Sequence, residues 1–151
     1  MELQVGVKAL LKNKDGKYLL LRRNPKKYPE VGPKWDIIGG RINPGTPLLE
    51  NLKREIMEEA GLDYREIPKL VAAQDIFVHR YTDGRDNTAE SPEIVRHVVR
   101  LTYIGELDGD PKINEDHLEA KWFTADEIKF LSPNELDSFF KELVDMEVIK
   151  F

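Results

Sequence analysis

The alternation of apolar and polar positions predicts strands on both sides of one amphipathic helix. Apolar runs at residues 5–11 and 18–21 flank an Asp15-Gly16 turn, which is the pattern of a β-hairpin. A third short strand is expected at residues 35–38, and it runs directly into Gly39-Gly40. Further strands are expected at residues 70–78, 94–104 and 120–123, with a polar loop at 81–93.

The segment before Gly61 has the spacing of a helix with one face in the core. Its apolar residues recur three or four positions apart, at Leu49, Leu52, Ile56 and Ala60. Thr46 is expected to cap the amino-terminal end, with Pro47 as the first helical residue. Gly61 supplies the carboxyl-terminal stop, because glycine readily adopts the left-handed conformation found there.

Two capping boxes indicate further helix starts near the carboxyl terminus. Thr124-x-x-Glu127 opens the first helix, and Ser132-x-x-Glu135, with Pro133 at the first helical position, is expected to open the second. One face of the second helix is expected to join the core through Leu136, Phe139, Phe140 and Leu143. The order of elements predicts an α/β fold with a mixed sheet between helices. At 151 residues the chain fits a single domain, residues 1–151.

The composition narrows the classes of partner. Lys and Arg number 23 against 28 Asp and Glu, a net charge of −5, which argues against a binder of long nucleic acids. The chain has no cysteine, so disulfides, thiolate zinc sites and cysteine nucleophiles are excluded, and the composition suits the reducing cytosol. No apolar run approaches the roughly 18 residues of a membrane span, and no signal peptide is visible. We therefore expect a cytoplasmic protein without a membrane partner.

Three glutamates share one side of the central helix. Glu55 lies three and four positions before Glu58 and Glu59, so like charges repel, and the last helical turn favours cations rather than acids. One interpretation is a solvated acidic face, with Arg54 and Glu58 as a weak ion pair. The other is a divalent-cation site, because Mg²⁺ prefers carboxylate oxygens. Gly39-Gly40 at the end of a strand favours the second interpretation, because glycine lets a backbone carbonyl approach a metal closely.

Residues 40–62 resemble the Nudix box, whose pattern is G-x5-E-x7-R-E-U-x-E-E-x-G-U with U a bulky aliphatic residue. Eight of the nine defined positions are in register, namely Gly40, Arg54, Glu55, Ile56, Glu58, Glu59, Gly61 and Leu62. The ninth, a glutamate in the family, is Thr46 here. The resemblance implies a Nudix-like α/β/α sandwich. It also implies a metal-dependent hydrolase that cleaves a pyrophosphate bond in a nucleoside diphosphate linked to another group, with a nucleoside triphosphate or an oxidised nucleotide among the candidate substrates.

The same resemblance assigns roles to residues of the box. It implies a Mg²⁺ or Mn²⁺ site formed by the Gly40 carbonyl, Glu55, Glu58 and Glu59. Arg54 would orient the glutamates, and Glu58 would act directly or through water. The metal would neutralise the diphosphate and lower the pKa of water for attack on phosphorus. The general base stays open, because family members use either the first glutamate of the helix, here Glu55, or a carboxylate from a later loop, for which Glu115 is favoured over Asp116 and Glu119.

Two further positions affect the expected site. Thr46 cannot supply negative charge, so a weaker metal site is expected, with Glu50 as a candidate for partial substitution. Arg22 and Arg23 end the second strand near the Gly-Gly loop, and either is a candidate to hold a substrate phosphate, because a guanidinium binds phosphate bidentately. Strand alternation puts the two on opposite faces, so one at most is expected to do so, and Arg23 is slightly favoured. The three histidines show no metal-ligand spacing and are interpreted as surface or structural residues.

Two alternatives to an active enzyme stay open. The first is a catalytically weak Nudix-like nucleotide-binding or sensor module, which only Thr46 favours. The second is an acidic structural domain without a ligand. For the enzyme and the module, the expected partner is a small nucleotide diphosphate. A homodimer is left open as an assembly state.

Overall fold

The computed structural model describes residues 1–80 and 93–151. Within these two ranges the chain forms seven strands and three helices. Their bounds are β1 Glu2–Lys12, β2 Tyr18–Arg23, β3 Trp35–Asp36, β4 Ile38–Arg41, α1 Leu48–Ala60, β5 Lys69–Arg80, β6 Glu93–Glu106, β7 His117–Phe123, α2 Ala125–Phe130 and α3 Ser138–Asp145. The predicted loop at 81–93 lies outside the described residues, apart from Glu93, which begins β6. No helix in the described part of the chain is long and apolar enough to cross a membrane.

The strands form one mixed sheet. Its order is β3-β2-β1-β6-β5, with β4 paired to β1 and β7 paired to β2. The central pair, β1 and β6, is parallel and runs in register from Glu2 opposite Arg96 to Lys12 opposite Glu106. The other pairs are antiparallel. The mixed sheet predicted from the order of elements is confirmed.

Apolar side chains cover both faces of the sheet. On one face, α1 packs on β1 and β2 through a core that includes Val7, Ala9, Leu11, Leu19, Leu52, Ile56 and Ala60. On the other face, α2 and α3 pack through a core that includes Leu10, Leu20, Ile128, Phe140 and Leu143. Successive residues of β1 enter different cores because side chains alternate along a strand. The prediction of a sheet between helices is confirmed.

The predicted cap of the central helix is wrong by one residue. Pro47, and not Thr46, occupies the cap position, and no side chain bonds the free amides there. Pro47 has an extended backbone, with φ −57° and ψ 151°, so Thr46 lies one residue too far from the first turn. The carboxyl-terminal end follows the prediction, because Gly61 has φ 67° and its N–H donates to the Met57 carbonyl.

The last helix begins later than its sequence signal indicates. The Ser132 amide donates to the Glu135 carboxylate at 3.0 Å, but this bond closes a turn and not a helix. The next residues instead join the sheet edge, where Trp35 N–H donates to the Glu135 carbonyl and Asp137 N–H donates to the Trp35 carbonyl. That extended pairing ends at Asp137, whose carboxylate accepts from the Phe140 amide and caps α3.

Two other local predictions near this end of the chain have different outcomes. The capping box of Thr124 and Glu127 is present in full and starts α2. Phe139, expected in the core, is only half-buried. Its ring contacts the guanidinium of Arg100, whose Cζ lies 5.9 Å from the ring centre. Phe139 therefore faces a cavity and not the packed interior.

Candidate active site

Helix α1 brings Glu55 against the glycine pair at the end of the sheet. Glu55 is 8% exposed, although it is charged. A Cβ on Gly40 would lie 2.8 Å from both carboxylate oxygens of Glu55, which is closer than any real contact of this kind. Glycine at position 40 is therefore what allows the carboxylate to rest on β4.

Glu59 lies one turn further along the same helix. Its carboxylate accepts a hydrogen bond from the Gly39 amide at 3.1 Å. Burial raises the pKa of Glu59 to about 8, despite the opposing charge of Lys8. Burial also raises the pKa of Glu55, and the charge of Arg54 offsets only part of that effect. The protein therefore holds two partly buried carboxylates whose charge the neighbouring cations compensate only in part.

Arg54 bridges Glu58, the third glutamate of the motif, to Glu55. One of its nitrogens lies 3.0 Å from Oε1 of Glu55 and 3.3 Å from Oε2 of Glu58. The other donates to the Arg41 carbonyl at 3.3 Å and to the Asn51 side-chain oxygen at 3.1 Å. These contacts are what an orienting role for Arg54 would require. Glu58 itself is turned to the surface.

Asn51 is a site residue that sequence reasoning missed. Its side chain is fully buried and accepts from the Asn43 amide at 2.9 Å. Its amide nitrogen donates to the carbonyls of Thr46 and Pro47 at 2.8 and 2.9 Å. Asn51 thus ties the loop before α1 to Arg54, at the place where the family pattern has a glutamate. Glu50, the suggested substitute, is exposed on the first turn.

A cavity of about 470 Å³ opens beside this acidic group. On the site side it is lined by Gly39, Gly40, Arg41 and Glu59. Apolar walls come from Val31, Ile37, Ile76, Val98 and Phe139. The volume is within the range of small-molecule sites, roughly 300–1,000 Å³.

A closed ring of ion pairs forms the rest of the cavity wall. Arg23 donates to Asp36 at 2.5 Å and to Asp137 at 3.1 Å. Arg100 joins the same two carboxylates, at 3.2 Å each. Lys8 adds a fifth charge, 3.0 Å from Asp36. Burial alone would raise the pKa of Asp36, but the three cations hold it well below its usual range.

Arg23 and Glu115 are the remaining predicted site residues, and they lie in different surroundings. Arg23 lines the cavity, but both its terminal nitrogens are paired with carboxylates, and its predicted contact with a phosphate stays a prediction. Glu115 is exposed, on a segment that the Asn114 side chain ties to the Glu58 carbonyl at 3.1 Å. Its own carbonyl accepts from the Asn24 side chain at 2.9 Å. Glu115 therefore lies on a segment fixed to the last turn of α1.

His117 was interpreted from the sequence as a surface or structural residue, yet it lines the cavity. Burial, together with the charge of Lys8, lowers the pKa of His117 to about 4. Its imidazole is therefore neutral at neutral pH. Lys8 and Asp36 were also missed. Both carried a signal, since each is a single charge inside an otherwise apolar predicted strand.

The group of Glu55, Glu58 and Glu59 has the donor chemistry of a divalent-cation site but not its complete geometry. No three Asp, Glu or His side chains within residues 1–80 and 93–151 converge into a complete ligand set, and Glu58 contacts Arg54 at 3.3 Å. The donor chemistry nevertheless fits, since hard cations prefer carboxylate and carbonyl oxygens. Glu55 and Glu59 supply two carboxylates whose pKa values burial raises, because Arg54 and Lys8 compensate their charge only in part. The residues present therefore fit a hard divalent cation.

Comparison with known protein families matches residues 2–144 to the NUDIX domain. The chain belongs to the NUDIX family. The predicted enzyme class, a Nudix-type nucleotide pyrophosphohydrolase, is likewise confirmed.

Named relatives of this Nudix chain support the same assignment. Nucleoside triphosphatase NudI from Escherichia coli O81 (strain ED1a) is 31% identical over 116 residues, covering 76% of this chain and 77% of that protein. The crystal structure of the MutT protein from Methanosarcina mazei Go1 matches with a TM-score of 0.73 and 26% identity, covering 99% of this chain and 97% of that one. The mMutator MutT protein from Bacillus halodurans has the same fold, with a TM-score of 0.70, 20% identity, and coverage of 97% and 83%.

Proposed function

We propose that this Nudix chain hydrolyses the pyrophosphate linkage of a nucleoside triphosphate with the help of Mg²⁺ or Mn²⁺. The observation that carries the proposal is the pair of partly buried carboxylates, Glu55 and Glu59, whose charge Arg54 and Lys8 compensate only in part, beside a cavity of about 470 Å³. The name of the NudI relative, a nucleoside triphosphatase, supports this substrate class over other nucleoside diphosphate derivatives. An oxidised nucleoside triphosphate belongs to the same class.

The residues of the box would divide the work as follows. Glu55, Glu58, Glu59 and the Gly40 carbonyl would hold the cation. When bound, the cation would neutralise phosphate charge and favour attack of water on phosphorus. Arg54 would keep Glu55 and Glu58 in place through the contacts described above. The cavity side chains would bind the nucleoside, and Arg23 would contribute positive charge near the phosphates.

We propose Glu115 as the general base, with Glu55 as the alternative. Glu115 is exposed and stands on the segment that Asn114 ties to the end of α1. Glu55 is packed on Gly40 and contacts Arg54, so its carboxylate is already engaged. A base must reach the water from which it takes a proton, and a free carboxylate on a loop meets that need more easily.

The test is phosphate or pyrophosphate release from a nucleotide panel with and without Mg²⁺. The panel contains the common nucleoside triphosphates, oxidised dGTP, ADP-ribose, nucleotide sugars and diadenosine polyphosphates. We expect Mg²⁺-dependent turnover of one or more triphosphates, and its loss in Glu59→Gln. The control is Glu66→Gln, an exposed glutamate away from this cavity. Turnover that is confined to the other substrate classes would contradict the proposed specificity.

A catalytically weak nucleotide-binding module is the second candidate, and Thr46 is the feature that favours it. That candidate predicts nucleotide binding in the same panel without measurable release of phosphate. A cytoplasmic location, a single domain over residues 1–151 and a homodimer also stay proposals. The cysteine-free composition supports the first of these.

A further inference from the structure

Lys8 is a buried charge that the proposed reaction does not use. It lies in β1 between Val7 and Ala9, which are both fully buried, and its own side chain is 14% exposed. Its ammonium has three partners, namely Asp36 at 3.0 Å and the carbonyls of Ile37 and Gly39 at 3.1 and 3.3 Å. An ammonium has three donors. All are therefore committed to the protein, and Lys8 is not free to bind a phosphate.

The Lys8 side chain passes directly over Gly39. A Cβ on Gly39 would overlap the Val7 carbonyl oxygen and lie 2.7 Å from Cδ of Lys8. Gly39 also has φ 144°, a conformation that favours glycine. The amide of this same residue donates to Glu59 at 3.1 Å. Lys8 therefore bonds the carbonyl of Gly39, and the N–H of Gly39 orients Glu59, a proposed metal ligand.

Lys8 is itself held in place by its ion pair with Asp36. Asp36, its carboxylate partner, is held by Arg23 and Arg100 in the closed ring of ion pairs. A rigid chain of contacts therefore runs from the ring through Lys8 to Gly39 and Glu59. Side chains that orient metal ligands without touching the metal commonly change metal affinity by about 10–100-fold when they are removed.

We infer that Lys8 is a positioning residue of the metal site, which holds Gly39 so that its amide stays directed at Glu59 and Gly40 stays against Glu55. The inference rests on the proposed function, because it requires a cation at Glu55 and Glu59. The proposed role depends on where the contacts of Lys8 hold Gly39 and not on the positive charge of Lys8. At a pH where Glu55 and Glu59 are both ionised, a purely electrostatic role would make Lys8 an inhibitor of cation binding, since like charges repel.

The two roles predict opposite results for one substitution. Lys8→Met removes the ammonium and keeps an unbranched apolar chain of similar length. If Lys8 acts only by charge, the variant should bind divalent cations more tightly at a pH where Glu55 and Glu59 are ionised. If Lys8 acts by position, the variant should bind them about tenfold more weakly. The fold should persist, because Asp36 and Asp137 retain Arg23 and Arg100.

The experiment measures Mn²⁺ binding to nucleotide-free protein by electron paramagnetic resonance. Lys12→Met is the matched control, since Lys12 is on the same strand but lines a different cavity. We expect weaker binding in Lys8→Met, an intermediate affinity in Lys8→Arg and wild-type affinity in Lys12→Met. A second measurement, the NMR shift of the Gly39 amide without metal, should change in both Lys8 variants and not in the control.

Wild-type or tighter Mn²⁺ binding in folded Lys8→Met would overturn the inference. Should that variant fail to fold, Lys8→Arg decides, and wild-type affinity with a displaced Gly39 amide overturns the inference. The outcome for the proposed function is separate. A wild-type protein that binds no Mn²⁺ overturns both claims, whereas wild-type binding that survives unchanged in Lys8→Met overturns only the role of Lys8.

Discussion

Two pairs of buried acids lie beside the same cavity, and the protein treats their charges in opposite ways. Asp36 and Asp137 are paired with buried arginines in a closed ring. Glu55 and Glu59 rest against glycine backbone, and burial raises the pKa of both. The pKa of Asp36, by contrast, is held low.

The difference separates a structural acid from a ligand-binding one. A buried carboxylate with its own cations needs nothing further, and removing it leaves those cations unpaired. A buried carboxylate whose charge is compensated only in part carries an energetic cost that a bound metal ion reduces. Asp36 and Asp137 thus stabilise the fold on one side of the cavity, whereas Glu55 and Glu59 are suited to bind a cation on another.

The largest expected effect is on activity, in Glu59→Gln. The amide can still accept the Gly39 hydrogen bond but cannot bind a hard cation with full charge. We expect kcat/KM to fall at least about 100-fold, equivalent to roughly 2.7 kcal/mol of barrier. Steady-state kinetics at saturating Mg²⁺ measures this. Activity within about threefold of wild type would remove Glu59 from the metal site.

The next effect is on stability, in Asp36→Asn. The change removes the carboxylate that Lys8, Arg23 and Arg100 share, and Asp137 then pairs with Arg23 and Arg100 but not with Lys8; breaking a buried pair of this kind costs about 3–5 kcal/mol. Urea unfolding at neutral pH measures the loss. Asp63→Asn is the control, since it breaks an exposed pair with Lys53 that is worth less than about 1 kcal/mol.

The same ring predicts a pH dependence with a definite sign. Asp36 has a lower pKa in the folded protein than its ordinary value of 3.8, so its contribution to stability is present above that pH and is lost as the pH falls below it. The stability difference between wild type and Asp36→Asn should therefore shrink in acid. A constant difference down to the acid transition would show that Asp36 is not held as an anion.

A smaller effect on turnover is expected from Glu115→Gln. If Glu115 is the general base, kcat should fall about tenfold or more with little change in KM, and the acidic limb of the pH–rate profile should shift. Glu119→Gln is a nearby control, because Glu119 is exposed and pairs with Arg22. A Glu115 variant with kcat within about threefold of wild type would return the role of base to Glu55.

The smallest effect is expected from Thr46→Glu. A carboxylate there lies near the amino-terminal end of α1, where it is favoured by about 0.3–1 kcal/mol, and adds negative charge near Arg54 and its partner Asn51. The Mg²⁺ concentration for half-maximal activity should fall roughly two- to fivefold. Thr46→Gln controls for size. An unchanged or higher concentration would mean that Asn51 already replaces the missing glutamate.

The sequence predicted the group of Glu55, Glu59 and Gly40 better than the ring of ion pairs. The members of that group lie close together along the chain, whereas the members of the ring do not. Glu55 and Glu59 lie on one helix with a regular period, and Gly40 belongs to the same motif. The ring joins residues up to 114 positions apart, as in the pair of Arg23 and Asp137. No local pattern encodes such a pair.

The late start of α3 has a similar cause. The Ser132 capping box is a real local signal, and half of it forms. Backbone pairing of Glu135 and Asp137 with Trp35, a contact 100 residues away in sequence, holds the chain extended and overrides it. Lys8 and Asp36, in contrast, could have been noticed, since a lone charge in an apolar strand usually needs a buried partner.

The central claim is that arginines compensate the charges of Asp36 and Asp137, whereas the charges of Glu55 and Glu59 are compensated only in part. The melting temperature without metal tests this claim most directly. Glu59→Gln and Asp36→Asn make the same chemical change, from carboxylate to amide, at two buried positions. At neutral pH without divalent cations, we predict a higher melting temperature than wild type for Glu59→Gln and a lower one for Asp36→Asn. The gain in Glu59→Gln should grow as the pH rises from 4.5 towards about 8, because the folded pKa of Glu59 is raised across that interval. Destabilisation of both variants would contradict the account.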